Sequence, residues 1–162
     1  MKKLFLFLSL ATLSVGLNSC SKDDSSDSNN NATPSSVQVK IDGVTKTFNT
    51  IVVNQDTYTE GGQTYTDLRV SASINNSTTE IITFELGKGD VGTNVIYSFE
   101  YVKNGKTYNS YNSSSQAFAS ITQANSNNKI TGTFSGGLSF WNNDTQAYES
   151  VTTSEGTFNV SY

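Results

Sequence analysis

The chain has 162 residues, with 14 acidic and 10 basic side chains, no histidine and a single cysteine. Without histidine, Ser-His-Asp and Cys-His catalysis and histidine metal sites are excluded, and one thiol leaves no partner for a disulfide within the chain. The basic residues are scattered, not clustered, which argues against a nucleic-acid footprint and against charge-driven binding to anionic lipid.

The first stretch, "MKKLFLFLSLATLSVGLNSC", places Lys2 and Lys3 before a mostly apolar run from Leu4 to Leu17. As a helix those residues would reach about 21 Å, short of the ~30 Å hydrocarbon core, so residues 1–19 are expected to be a cleaved secretory signal and not a membrane span. "L-N-S-C" at Leu17 to Cys20 resembles the lipobox of bacterial lipoproteins. That resemblance implies that Cys20 becomes the first mature residue and carries the acyl chains that hold the protein to a membrane. Loss of residues 1–19 leaves 8 basic against 14 acidic side chains, a formal charge of −6.

Cys20 opens a segment, residues 20–36, whose "SKDDSSDSNNNATPSS" contains no large apolar residue and cannot offset its ordering entropy. It is expected to be a disordered tether, with ends about 22 Å apart as a flexible coil. Within it Lys22, Asp23 and Asp24 resemble the signal that sends Bacteroidota lipoproteins to the outer face of the outer membrane.

From residue 37 to the end the pattern is that of strands, and one all-β domain is expected over 37–162. "VQVKIDGVTKTF" has Asp42-Gly43 at the centre of an alternating run, the pair favoured in two-residue hairpins. "TDLRVSASI" sets Leu68, Val70, Ala72 and Ile74 on one face, and "EIITFELG" does the same with Ile82, Phe84 and Leu86. "NVIYSFEYVKNGKTYNSY" turns at Asn104-Gly105, a register that puts Tyr101 opposite Tyr108 and Phe99 opposite Ser110. "KITGTFSGGLSFW" has apolar residues or glycine at every even position from Ile130 to Phe140, with Gly136-Gly137 expected to bend a long strand around the core. "GTFNVSY" closes the chain with Phe158, Val160 and Tyr162 on a shared face. About 8–10 antiparallel strands, each with one apolar face, predict a β-sandwich or flattened β-barrel.

The segments "KITGTFSGGLSF" and "SEGTFNVSY", with "VGTNVIYSF" before them and the lipobox upstream, resemble a family of small Bacteroidota lipoproteins defined only as a domain of unknown function. The resemblance covers residues 37–162 and is most specific over 129–162. It implies an all-β fold and a cell-envelope location, and it carries no catalytic residues.

Chemistry-bearing groups are sparse. Glu85 and Glu100 lie on strands opposite the apolar residues, where paired carboxylates could flank a sugar, but solvated outer-face acids are the stronger reading. The acid and amide loops around Asp90 and Asp144 lack the spacing of a calcium loop, so no metal and no cofactor is expected. Aromatics in polar stretches are the more informative class: Tyr58, Tyr65, Tyr108, Tyr111, Trp141 and Tyr148. Of these Trp141, Tyr108, Tyr111 and Tyr148 are the candidate ligand-binding residues, because tyrosine and tryptophan combine apolar area with a hydrogen-bonding tip. The expected function is a non-enzymatic, surface-exposed outer-membrane lipoprotein that binds a glycan or an envelope protein. The alternative is a periplasm-facing carrier of a small apolar ligand in a barrel cavity.

Overall fold

The computed structural model describes residues 34–111 and 116–162. The expected signal peptide, the expected lipidation at Cys20, the expected export signal at Lys22, Asp23 and Asp24, and most of the expected tether fall on residues outside the described ones. The rest is all-β: a strongly curled, half-barrel sheet of 11 antiparallel strands. They are β1 (Ser36–Ile41), β2 (Val44–Phe48), β3 (Thr50–Glu60), β4 (Gln63–Ser73), β5 (Glu80–Gly87), β6 (Gly92–Thr93), β7 (Ile96–Lys103), β8 (Lys106–Asn109), β9 (Ala119–Ser126), β10 (Lys129–Asn142) and β11 (Ala147–Ser161).

Turn chemistry fixes the register. Asp42-Gly43 and Asn104-Gly105 both take positive φ and join strands paired Ile41 to Val44 and Lys103 to Lys106. These are the mirror-image turns whose twist suits a hairpin. Gly61-Gly62 and Asn127-Asn128 make two more of the same kind, which composition alone did not single out. Tyr101 pairs with Tyr108, and the Ser110 amide donates to the Phe99 carbonyl at 3.0 Å, as the turn position predicts.

The sheet runs β2-β1-β11-β10-β8-β7-β5-β4-β3, with β9 pairing β10 and β6 beside it. Its two ends, β2 and β3, are consecutive in the chain with only Asn49 between them. There Asn49 and Thr50 both stand against Ser73, and the inward positions change from Phe48 to Ile51 and Val53. One continuous run of chain therefore serves both ends of the sheet, which goes with its curl. A second bend falls where the glycine pair predicts it. At Gly136 the register with β11 shifts, φ reaches 139°, and β10 changes partner from β9 to β8.

The concave side is filled by aromatic and aliphatic side chains. Phe84, Phe99, Phe118, Phe134 and Phe158 form a connected set of rings with centroids 4.6–6.2 Å apart. The two "GTF" segments meet reciprocally in it: Gly132 pairs with Phe158, and Phe134 with Gly156. A Cβ on Gly132 would stand 2.3 Å from Phe158 Cζ, and one on Gly156 2.7 Å from the Phe134 ring, so each glycine makes room for the other segment's ring.

At the end of the curl that carries the Asp42 and Asn104 turns, two partly buried ion pairs border the core. Lys46 meets Glu80 at 2.6 Å and Lys106 meets Glu149 at 2.7 Å. Tyr101 donates its hydroxyl to Glu80, and Asn142 donates to Glu149 at 2.5 Å. Burial pushes the Glu80 carboxyl up, but the hydrogen bonds from Lys46 and Tyr101 outweigh it and hold that carboxyl below its usual range.

Candidate functional site

The four aromatic candidates from the sequence do not form one site. Trp141 and Tyr148 are cross-strand partners and meet edge to face, with centroids 4.9 Å apart and both rings exposed. Tyr111 is 66% exposed and stands apart from them: the pairing of Asn109 with Ser139 places it toward Gly137, away from Trp141. Tyr108 is corrected by the structure. It is 8% exposed, with its ring between those of Tyr101 and Phe140, because residues opposite each other in a ladder share a face and Tyr101 is a core residue.

A concave aromatic surface does exist, at the other end of the curl. It lies on the convex face of β3, β4, β5 and β7, as a groove of about 380 Å3 beside a smaller hollow of about 180 Å3. Asp67 and Tyr97 line both. The hairpin β3–β4 builds one wall. Its outward positions pair Asn54 with Arg69, Asp56 with Asp67 and Tyr58 with Tyr65. The two tyrosine rings stack at 5.7 Å with their planes 26° apart, and the Tyr65 hydroxyl donates to Gln63 Oε1 at 2.7 Å.

Tyr97 comes from the opposite wall, through a local irregularity. Along β7 Phe99 and Tyr101 face the core, so strict alternation would bury Tyr97 as well. The β5–β7 register shifts between Glu85 and Leu86, so that Ile96 takes the inward place and Tyr97 turns out, 48% exposed. The floor between the walls is Gly87, directly opposite Asp67 on β4. A Cβ there would stand 2.5 Å from Asp90 Oδ2, so the glycine makes room for the Asp90 carboxylate, which lies over this position.

Electrostatics in the groove favour neutral phenols beside negative charge. Burial raises the Tyr97 hydroxyl well above the usual phenol range, with further contributions from the charge of Asp67 and a hydrogen bond to it. The Tyr58 hydroxyl is raised mainly by Asp67, then by its own burial and by Glu60. Both therefore remain O–H groups at neutral pH, and three tyrosine faces with carboxylates between them suit a ligand that offers apolar ring faces and hydroxyls.

Of the paired carboxylates, Glu85 belongs to the smaller hollow and meets Arg69 Nε at 3.4 Å. Glu100 is half-buried opposite Thr83, one diagonal step along the β5–β7 ladder from Glu85. The loops of Asp90 and Asp144 close through hydrogen bonds of their own: the Asp90 amide donates to the Gly87 carbonyl at 3.1 Å and the Asp144 amide to Asn142 Oδ1 at 2.9 Å. Among the described residues, no three or more acid, cysteine or histidine side chains converge on a point that would hold a metal ion.

A further depression, of about 430 Å3, lies on the outer side of β9, β10 and β11, with exposed Ile121 and part of Phe134 in its lining. Its one charged group, Glu155, is engaged by Lys40 at 2.6 Å. It has few convergent polar groups. No family model, no curated protein and no solved structure matches the chain.

Proposed function

We propose that the protein is a surface-exposed outer-membrane lipoprotein, held by acyl chains on Cys20, whose sheet domain binds a glycan in the tyrosine groove of β3, β4, β5 and β7 without transforming it. The observation that carries this reading is the groove itself: stacked Tyr58 and Tyr65 share it with Tyr97 across a floor of Gly87 and Asp90, with Asp67 beside them. Flat apolar rings beside hydrogen-bonding carboxylates and hydroxyls match the alternating faces and edges of a sugar. The lipobox, the Lys22-Asp23-Asp24 motif and the tether support the envelope part of the proposal. Glu85, already engaged by Arg69, serves the wall of the hollow and not a reaction.

A carrier would need room inside the curl for an apolar molecule, and the connected phenylalanine rings occupy that side. The groove is open on the outer face instead. The test is a glycan array probed with the full-length protein, alongside Tyr65→Ala and Trp141→Ala. Binding that Tyr65→Ala abolishes and Trp141→Ala leaves intact supports the groove. Binding lost only with Trp141→Ala moves the site to the opposite end of the sheet, and no binding to any glycan refutes the reading.

A further inference from the structure

We infer that the ligand group selected by the groove is a cationic amine, so that the glycan it takes is an amino sugar with free ammonium groups; this rests on the glycan reading above and narrows it. Asp56 and Asp67 stand directly opposite each other on the outward face of the β3–β4 ladder. Like charges in that relation destabilise a hairpin. The neighbouring outward pairs, Asn54 with Arg69 and Tyr58 with Tyr65, carry no such repulsion, while Asp67 accepts a hydrogen bond from the Tyr97 hydroxyl.

The nearby cations are already committed. Arg69 pairs with Glu85, and Lys88 donates to Gln55 Oε1 at 3.1 Å while its Nζ lies 5.4 Å from the centre of the Tyr162 ring. None of the ion pairs among the described residues engages Asp56, Asp67 or Asp90. The two hollows together are lined by four acids, Asp56, Asp67, Glu85 and Asp90, against Arg69 and Lys88.

Charge alone would not make a site, but here it surrounds a shaped space. The groove floor is the backbone of Gly87, with Asp67 opposite it and the Asp90 carboxylate lying where a Cβ would stand. Above that floor Tyr58, Tyr65 and Tyr97 offer ring faces, and an ammonium is attracted to such faces as well as to the carboxylates. A ligand ammonium beside Asp67, which lines both hollows, would offset the Asp56–Asp67 repulsion. A neutral sugar would leave it in place.

The test compares two tetrasaccharides of one backbone, the β-1,4 tetramer of glucosamine and its fully N-acetylated form, by calorimetry on the full-length protein at mildly acidic pH, where the amines are charged. The free-amine tetramer should bind about tenfold more tightly, the combined effect of one ring-face contact and one partly exposed charge pair. Added salt should shrink that preference. Asp67→Asn and, independently, Asp56→Asn should reduce it while each variant keeps the wild-type unfolding midpoint or exceeds it. Equal affinity for the two tetramers, or a preference that neither substitution alters, overturns the amine assignment and leaves the glycan reading standing. Failure of both tetramers to bind a protein that still binds neutral glycans on the array also overturns the assignment alone. Failure to bind any glycan overturns both.

Discussion

Replacing Gly132 by alanine should destabilise the protein by about 2–3 kcal/mol, the upper part of the usual range for overpacking a core. The magnitude follows from what the new methyl group meets. Its carbon would stand 2.2 Å from the Ile121 carbonyl oxygen on β9 and 2.3 Å from Phe158 Cζ on β11, where ordinary contact begins near 3.4 Å. The ring can tilt. The carbonyl belongs to the backbone of β9, which is paired with β10 on one side and β6 on the other, so it can retreat only by breaking a ladder. In urea the unfolding midpoint should fall by about 1–3 M, given a slope of roughly 1–3 kcal/mol per molar for a small domain. Shortening the ring with Phe158→Leu removes one of the two collisions, so the double variant should recover part of the loss and no more. A Gly132→Ala protein within about 0.5 kcal/mol of wild type would refute the close approach, and full recovery in the double variant would show that the ring alone sets the limit.

Other outcomes follow from the same contacts. Gly87→Ala meets a movable side chain, the Asp90 carboxylate, and should lower stability much less than Gly132→Ala while weakening glycan binding; equal destabilisation by urea titration would contradict this. Tyr97→Phe loses the hydrogen bond to Asp67 and should lower stability by about 1 kcal/mol or less yet reduce affinity on the glycan array, whereas unchanged affinity would remove Tyr97 from the site. The folded Glu80 carboxyl is held below its unfolded value, so its stabilising effect is present above the unfolded carboxylate range and is lost as pH falls through the folded one. Glu80→Gln should therefore flatten the acid limb of a stability–pH curve measured by thermal melting, and an unchanged limb would assign it to other groups. Trp141→Ala should lower stability by about 0.5–1.5 kcal/mol through the lost edge-to-face contact with Tyr148; a neutral result in calorimetric melting would show that the pair is only adjacent.

The architecture was largely legible because its causes are local. Alternation in "TDLRVSASI" and "EIITFELG" places Leu68, Val70, Ile82 and Phe84 in the core, and they are fully buried. Asp42-Gly43 and Asn104-Gly105 announce their turns through the positive φ that each pair tolerates. Gly136 marks a bend whose reason, the exchange of β9 for β8 along one edge of β10, is a property of the sheet and not of the segment.

The site was less legible, for a related reason. Tyr97 looks inward by strict alternation with Phe99 and Tyr101, and only a bulge against β5, set by tertiary pairing, turns it outward. Asp67 reads as one more surface acid until β3 brings Asp56 opposite it. Tyr58 and Tyr65 are visible as aromatics in polar stretches, but the Gly61-Gly62 turn between them is what makes them partners. Tyr108 lies beside polar residues in the chain, but the register that sets it opposite Tyr101 sends both rings to the core.

The most direct test of the account is backbone amide chemical-shift mapping of the protein while a glycan identified on the array is added. Saturable shifts confined to the segments around Tyr58, Tyr65, Gly87 and Tyr97, with Trp141 and Tyr148 unmoved, are the predicted result. Shifts centred on Trp141 and Tyr148 instead, with the β3–β4 hairpin silent, would contradict it.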